Sequence, residues 1–218
     1  AKLIRDLAGR LAARKLDSGL KLDVYLLARD SADPALAPSL RAYLASGGKT
    51  GLRLASPDLP YDVLTDGGDA TRGKEIVNGH LAANCTACHR IESDEGSEVG
   101  PMLRLVGAQR TKLEIAESLV EPSAKIVAGF GIETLTLKDG TQVAGSVVKE
   151  TGGKLDLKLP DGSVRQLRLD QVASRTPPVS VMPPMLGILT PQEIRDAVAY
   201  LSGLKPKAPK SRTSKSAK

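Results

Sequence analysis

Five consecutive residues, Cys85-Thr86-Ala87-Cys88-His89, concentrate the reactive side chains of this 218-residue chain. Two thiols separated by two residues and followed at once by an imidazole match the attachment pattern of a covalent c-type haem. The spacing suits the two vinyl groups of a porphyrin, and it sets the adjoining His89 against the iron as a proximal ligand. The sequence holds two cysteines in all, and its only other histidine is His80. A structural zinc site needs four ligands and finds no second cysteine pair. A thioredoxin-like pair belongs between a strand and a helix, whereas the flanking sequence here is helical and loop-like. One haem c is therefore the expected cofactor, with zinc, thiol redox chemistry or a structural disulfide as the competing readings.

A second axial ligand is suggested by Met182, in Val181-Met182-Pro183-Pro184, where prolines stiffen the chain just before the last helix. Thioether ligation opposite a histidine raises the potential and leaves no open position for a substrate. The other two methionines, Met102 and Met185, read more simply as core fillers, and His80 as an ordinary packed or surface residue. Arg104 and Arg110 are basic residues near the motif that can pair with haem propionates.

The elements that must position these groups follow from periodicity. Leu3, Leu7, Leu11 and Leu16 predict an amphipathic helix over 2–16. Leu20–Arg29 predicts a second, and Asp33-Pro34 opens a third that runs to about Ser46. Residues 47–68, rich in Gly, Pro and Asp, read as a linker, with a boundary near 66. Asp69 caps a helix through about Asn78. The acidic stretch 92–100 reads as a surface loop, and 111–120 as a helix stopped by Pro122. From 132 to 172 the period becomes two, as in Lys154-Leu155-Asp156-Leu157-Lys158-Leu159, with turns at Asp139-Gly140, Gly152-Gly153 and Asp161-Gly162. That pattern predicts four short strands in a small curled sheet or barrel. Thr190-Pro191-Gln192-Glu193 is a capping box that opens a terminal helix to about Ser202.

Composition narrows the function classes. Six basic residues and no acidic one lie between Lys205 and Lys218; the remaining 25 basic residues meet 25 acidic ones, so the body is formally neutral. The charge argues for a disordered basic tail over 204–218 rather than for a nucleic-acid face. Five aromatic residues (Tyr25, Tyr43, Tyr61, Phe130, Tyr200) and no Trp leave the core to aliphatic side chains. No stretch approaches the roughly 20 apolar residues of a transmembrane helix. The start at Ala1 is compatible with a processed or excised piece of a longer precursor, its export signal lost upstream.

Asp69-Ala70-Thr71-Arg72-Gly73-Lys74, the Cys-x-x-Cys-His run, Gly100-Pro101, Met182-Pro183 and Ala199-Tyr200-Leu201 together resemble class I cytochrome c. Over about 70–203, Glu121-Pro122-Ser123-Ala124, Thr136-Leu137-Lys138-Asp139-Gly140 and Ser174-Arg175-Thr176-Pro177 bring the resemblance closer still. They are similar to the haem-binding domain of exported planctomycete and verrucomicrobial proteins. The resemblance implies a mainly α, cytochrome c-like haem domain over 67–203 with a β-rich insertion at about 131–175. It also implies a helical-repeat-like leader over 1–66. By resemblance the Pro101 carbonyl accepts a bond from His89, and Arg110, placed after Gly107 at the family spacing, faces the cofactor.

The function so implied is electron transfer through His89 and Met182 by a carrier or relay domain, not an enzyme in itself. Redox proteins or an exported dehydrogenase complex are the partners, and the location is the periplasm. A haem-domain fragment of such a dehydrogenase, a haem enzyme or gas sensor with an open site, and a structural haem protein are the alternatives.

Overall fold

A computed structural model describes residues 1–47, 54–56 and 59–206; the basic tail from residue 207 onward lies outside the described residues. Three helices begin the chain: α1 (Lys2–Ala12), α2 (Lys21–Arg29) and α3 (Ala37–Gly47). The first is shorter than its leucine spacing suggests, because the chain turns through Arg14 at φ 55°. Asp33 caps the 3-10 turn Pro34–Leu36 that leads into α3.

The segment read as a linker carries core residues. Strands β1 (Leu54–Ser56) and β2 (Leu59–Pro60) pair antiparallel, and the 3-10 turn Tyr61–Leu64 buries Tyr61, Val63 and Leu64 almost completely. These side chains join one core with Leu11, Leu22 and Tyr25 of the leader and with Val77, Ile115, Ile194 and Val198 beyond residue 66. The hydrophobic interior is continuous across that position.

Helix α4 (Ala70–Gly79) is capped by Asp69, whose side chain accepts from the N–H groups of Thr71 and Arg72. Helices α5 (Val106–Gln109) and α6 (Lys112–Val120) follow, the second opened by a capping box between Thr111 and Glu114. The terminal helix α7 (Pro191–Gly203) opens with the matching box between Thr190 and Glu193.

Helix α7 packs backbone-close against three glycines. A Cβ added at Gly68, Gly73 or Gly107 would lie 2.3, 2.0 or 2.2 Å from a carbonyl oxygen of Arg195, Asp196 or Ser202. Two buried charges fix its placement. Asp196 accepts from the Asp69 N–H at 2.7 Å and pairs with Arg72, while Arg195 reaches Asp23 of α2 at 2.8 Å.

Between α6 and α7 the chain makes six strands: β3 (Gly131–Leu137), β4 (Gln142–Thr151), β5 (Lys154–Lys158), β6 (Val164–Arg168), β7 (Val172–Arg175) and β8 (Val179–Ser180). The order is β6-β5-β4-β3-β7, all antiparallel, and β8 pairs with the first residues of β3. Alternation sends Leu135, Leu137, Leu155, Leu157 and Leu167 into a second core. Burying such side chains contributes about 1.5–3 kcal/mol each. Gly140, at φ 86°, supplies the left-handed residue that the first hairpin turn requires.

This architecture corrects the expected fold class. The protein is mixed α and β, 42% helix and 20% strand over the described residues, with a six-stranded antiparallel sheet, and is not a mainly α cytochrome c fold. The four alternating strands are present, and two more, β7 and β8, follow them. Pro177 and Pro178 fall between β7 and β8, so neither strand loses a ladder donor to them. No helix among the described residues is long and apolar enough to cross a membrane.

Candidate functional site

After α4 the chain must reverse, and it does so at Asn84, a left-handed residue at φ 38° that Asn tolerates better than most. One 3-10 turn, Cys85–Ala87, follows. The Cys88 and His89 N–H groups both return to the Cys85 carbonyl, at 3.1 and 2.9 Å. This turn holds Cys85 and Cys88, both as free thiols, on the wall of a cleft of about 310 Å³. That volume lies at the lower end of the roughly 300–1,000 Å³ typical of small-molecule sites. Most of the cleft surface is aliphatic, including Leu103, Val106, Ile115, Leu119, Leu189 and Leu201.

His89 also lines the cleft. Its Nδ1 lies 2.7 Å from the Pro101 carbonyl oxygen, and a carbonyl can only accept, so Nδ1 carries the proton. Nε2 is then left with its lone pair. Gly100 permits this approach, since a Cβ there would sit 2.5 Å from Cε1 and 2.7 Å from Nδ1 of the ring. Burial pushes the imidazole pKa below its usual value, against a smaller opposing effect of the Pro101 bond, so the ring is neutral near pH 7. A neutral imidazole with one oriented nitrogen is the form that binds a metal.

Met182 lines the same cleft and is half-buried. Its loop is tied to α6 and to the turn just past it. Ser180 N–H donates to the Ser123 hydroxyl, Met182 N–H to the Ser180 hydroxyl, and Met185 N–H to the Leu119 carbonyl at 2.7 Å. Met102 and Met185 also line the cleft, and Met185 is buried in the core.

The remaining residues singled out from sequence separate cleanly. Pro101 and Arg110 are at the cleft. Arg104 is not among its walls and pairs with Asp94 in the surface loop at 3.1 Å. His80 ends α4, where its Nδ1 accepts from the Ala83 N–H and its Nε2 lies 4.0 Å from Glu193. Sequence reasoning missed Glu114 and Lys125, which line the cleft and pair at 2.9 Å. They lie on either side of Pro122, and no periodicity links them.

The site also bears on the rival readings of the thiols. Among the described residues no group of three or more Cys, His, Asp or Glu side chains could hold a metal ion by itself. Burial pushes the Cys85 thiol pKa up, the direction opposite to that of a reactive redox thiolate. Two half-buried free thiols, one oriented imidazole and a thioether thus converge on one aliphatic cleft. The chain matches no model of a known protein family and no curated protein.

Proposed function

We propose that the cleft holds one c-type haem and that the protein is an electron carrier or relay domain. The observation that carries the reading is the convergence of Cys85, Cys88, His89 and Met182 on one aliphatic cleft, with the His89 ring oriented by Pro101. Over 70–203 the segments similar to the haem-binding domain of exported planctomycete and verrucomicrobial proteins support the same reading.

In this reading Cys85 and Cys88 would hold the haem through thioether bonds. The haem, when bound, supplies a one-electron ferric–ferrous couple. The chain's own residues do the rest. His89 Nε2 and the Met182 sulfur would ligate the iron, Pro101 holds the His89 proton on Nδ1, and Arg110 would meet an acidic group of the ring. Aliphatic walls exclude water, which favours the less charged state of the site and limits side reactions. With His89 and Met182 both given to the iron, the haem would offer no position to a substrate, so the chain would act through redox partners, such as a dehydrogenase, rather than as an enzyme. Attachment of this kind takes place outside the cytoplasmic membrane, which makes the periplasm the proposed location.

The test is an intact mass and optical spectra after expression in a host competent for haem c maturation. A mass heavier by one haem, a low-spin spectrum with the far-red methionine band and no response to carbon monoxide is the expected result. In Met182→Leu the methionine band is lost and carbon monoxide binds. Carbon monoxide binding by the unmutated protein turns the reading to an open-site enzyme or sensor. Absence of covalent haem overturns it.

A further inference from the structure

Four charged carboxylate, guanidinium or ammonium side chains line the cleft, Arg110, Glu114, Glu117 and Lys125, and all come from one stretch of 16 residues around α6. Glu114 is the hub. Its Oε2 is committed to the helix cap, accepting from the Thr111 N–H at 2.9 Å and the Thr111 hydroxyl at 3.2 Å. Its Oε1 accepts from Lys125 at 2.9 Å and from Arg110 at 3.5 Å. Two cations thus share one oxygen, and the second contact is at the limit of a hydrogen bond.

Lys125 reaches this point because the chain reverses after α6, where the Ala124 N–H bonds the Glu121 carbonyl at 2.8 Å. The next two residues, Ile126 and Val127, belong to the apolar wall of the cleft. The Lys125 side chain is 55% exposed, so it can exchange partners without loss of packing.

We infer that Lys125 and Arg110 form a two-cation clamp for the carboxylate edge of the bound ring, and that Glu114 holds both cations in place until those carboxylates take them over. The inference rests on the haem reading and deepens it. The ring bears its two carboxylates apart from the vinyl groups that react with Cys85 and Cys88. A ligand anchored at the thiols and paired at these cations is held in one orientation. Each incoming carboxylate offers a cation two oxygens in place of half of one, which is the stronger, charge-assisted arrangement.

The experiment compares the holoprotein with Lys125→Met, Lys125→Arg and Lys112→Met variants. Lys112 is an equally charged residue at the start of α6 that pairs with Asp66 and does not line the cleft. Intact mass comes first: if the unmutated chain carries no haem, the haem reading itself fails, and the clamp with it. In haem-loaded protein the midpoint potential is read at pH 7 and low salt. Removing a cation beside the ring favours the ferric form, so Lys125→Met shifts the redox equilibrium about threefold or more, ~30 mV for one electron. Lys125→Arg keeps the original potential, as does Lys112→Met. Equal potentials for Lys125→Met and Lys112→Met, in protein that carries haem, overturn the clamp alone.

Discussion

Gly73→Ala and Gly9→Ala are the same substitution in two helices of this protein, and the structure assigns them opposite signs. Both remove the backbone freedom of glycine, which favours the folded helix by about 0.8–1 kcal/mol. At Gly9 nothing lies within 4 Å of the added Cβ, so that gain is retained. At Gly73 the Cβ would lie 2.0 Å from the Asp196 carbonyl oxygen, 2.6 Å from its carbon and 2.9 Å from Tyr200 Cβ. A carbon–oxygen contact relaxes only at roughly 3.3 Å. Helices α4 and α7 must therefore part by more than an ångström, at a position where Asp196 is also tied to Asp69 and Arg72.

Overpacking of this kind costs about 3 kcal/mol at the upper end of the usual range, leaving a net loss near 2 kcal/mol. For a chain of this size that lowers Tm by about 4–8 °C, while Gly9→Ala raises it by about 2–4 °C. Thermal unfolding followed by circular dichroism in matched buffer reads both. A Gly73→Ala protein as stable as its parent refutes the close packing of α4 on α7.

Three further outcomes follow from the geometry. On the haem reading, Gly100→Ala, which forces the His89 ring off Pro101, would weaken ligation of the iron by about 10–100-fold; covalent haem measured by mass would be retained while the low-spin spectrum declines. Arg175→Leu leaves the carboxylate of Glu133, a residue only 6% exposed, without its partner at 2.8 Å. Because Arg175 is itself partly exposed, the expected loss in urea denaturation is about 1–2 kcal/mol, largely recovered in the Arg175→Leu, Glu133→Leu double variant. The Lys125 ammonium, with the Thr111 N–H, holds the Glu114 carboxyl at about 2, below its ordinary 4.5. A carboxyl depressed in the folded state stabilises above its unfolded pKa, and that contribution is lost as pH falls from 4.5 toward 2. The Glu114 side chain is still 30% exposed, so the contribution is screened and at most about 1 kcal/mol. Glu114→Gln is accordingly less stable than its parent at pH 7, and the two converge near pH 2 in urea midpoints measured against pH.

What was legible in the sequence was local. Asp69, Thr111 and Thr190 mark helix starts because a cap is decided within three residues, and β3 through β6 show themselves by alternation between glycine turns. Cys85, Cys88 and His89 were readable as candidate cleft residues because they lie within five consecutive positions. Features decided by distant partners were not legible. Tyr61, Val63 and Leu64 sit in a stretch of linker-like composition and are buried by helices on either side in sequence. Strands β7 and β8 are too short to show a period, and exist because β3 offers them an unpaired edge. Leu16 continues the leucine spacing of α1, but the turn at Arg14 ends the helix first. Lys125 and Glu114 meet through a reversal whose outcome no helical count contains.

The base of the inserted sheet has a consequence for how this chain can change. The insertion begins at Gly131 and ends at Ser180, and these two residues face each other across the β3–β8 pair. Ser180 is further fastened to Ser123, just past α6. Entry and exit are therefore side by side, as at sites where whole domains are tolerated as inserts. Everything from Glu133 to Pro178 forms a cassette on a narrow neck, able to grow, shrink or be exchanged while Phe130 and Met182 keep their places. Such an arrangement lets one cleft be fitted with different outer surfaces, and so with different neighbours, without re-tuning its interior.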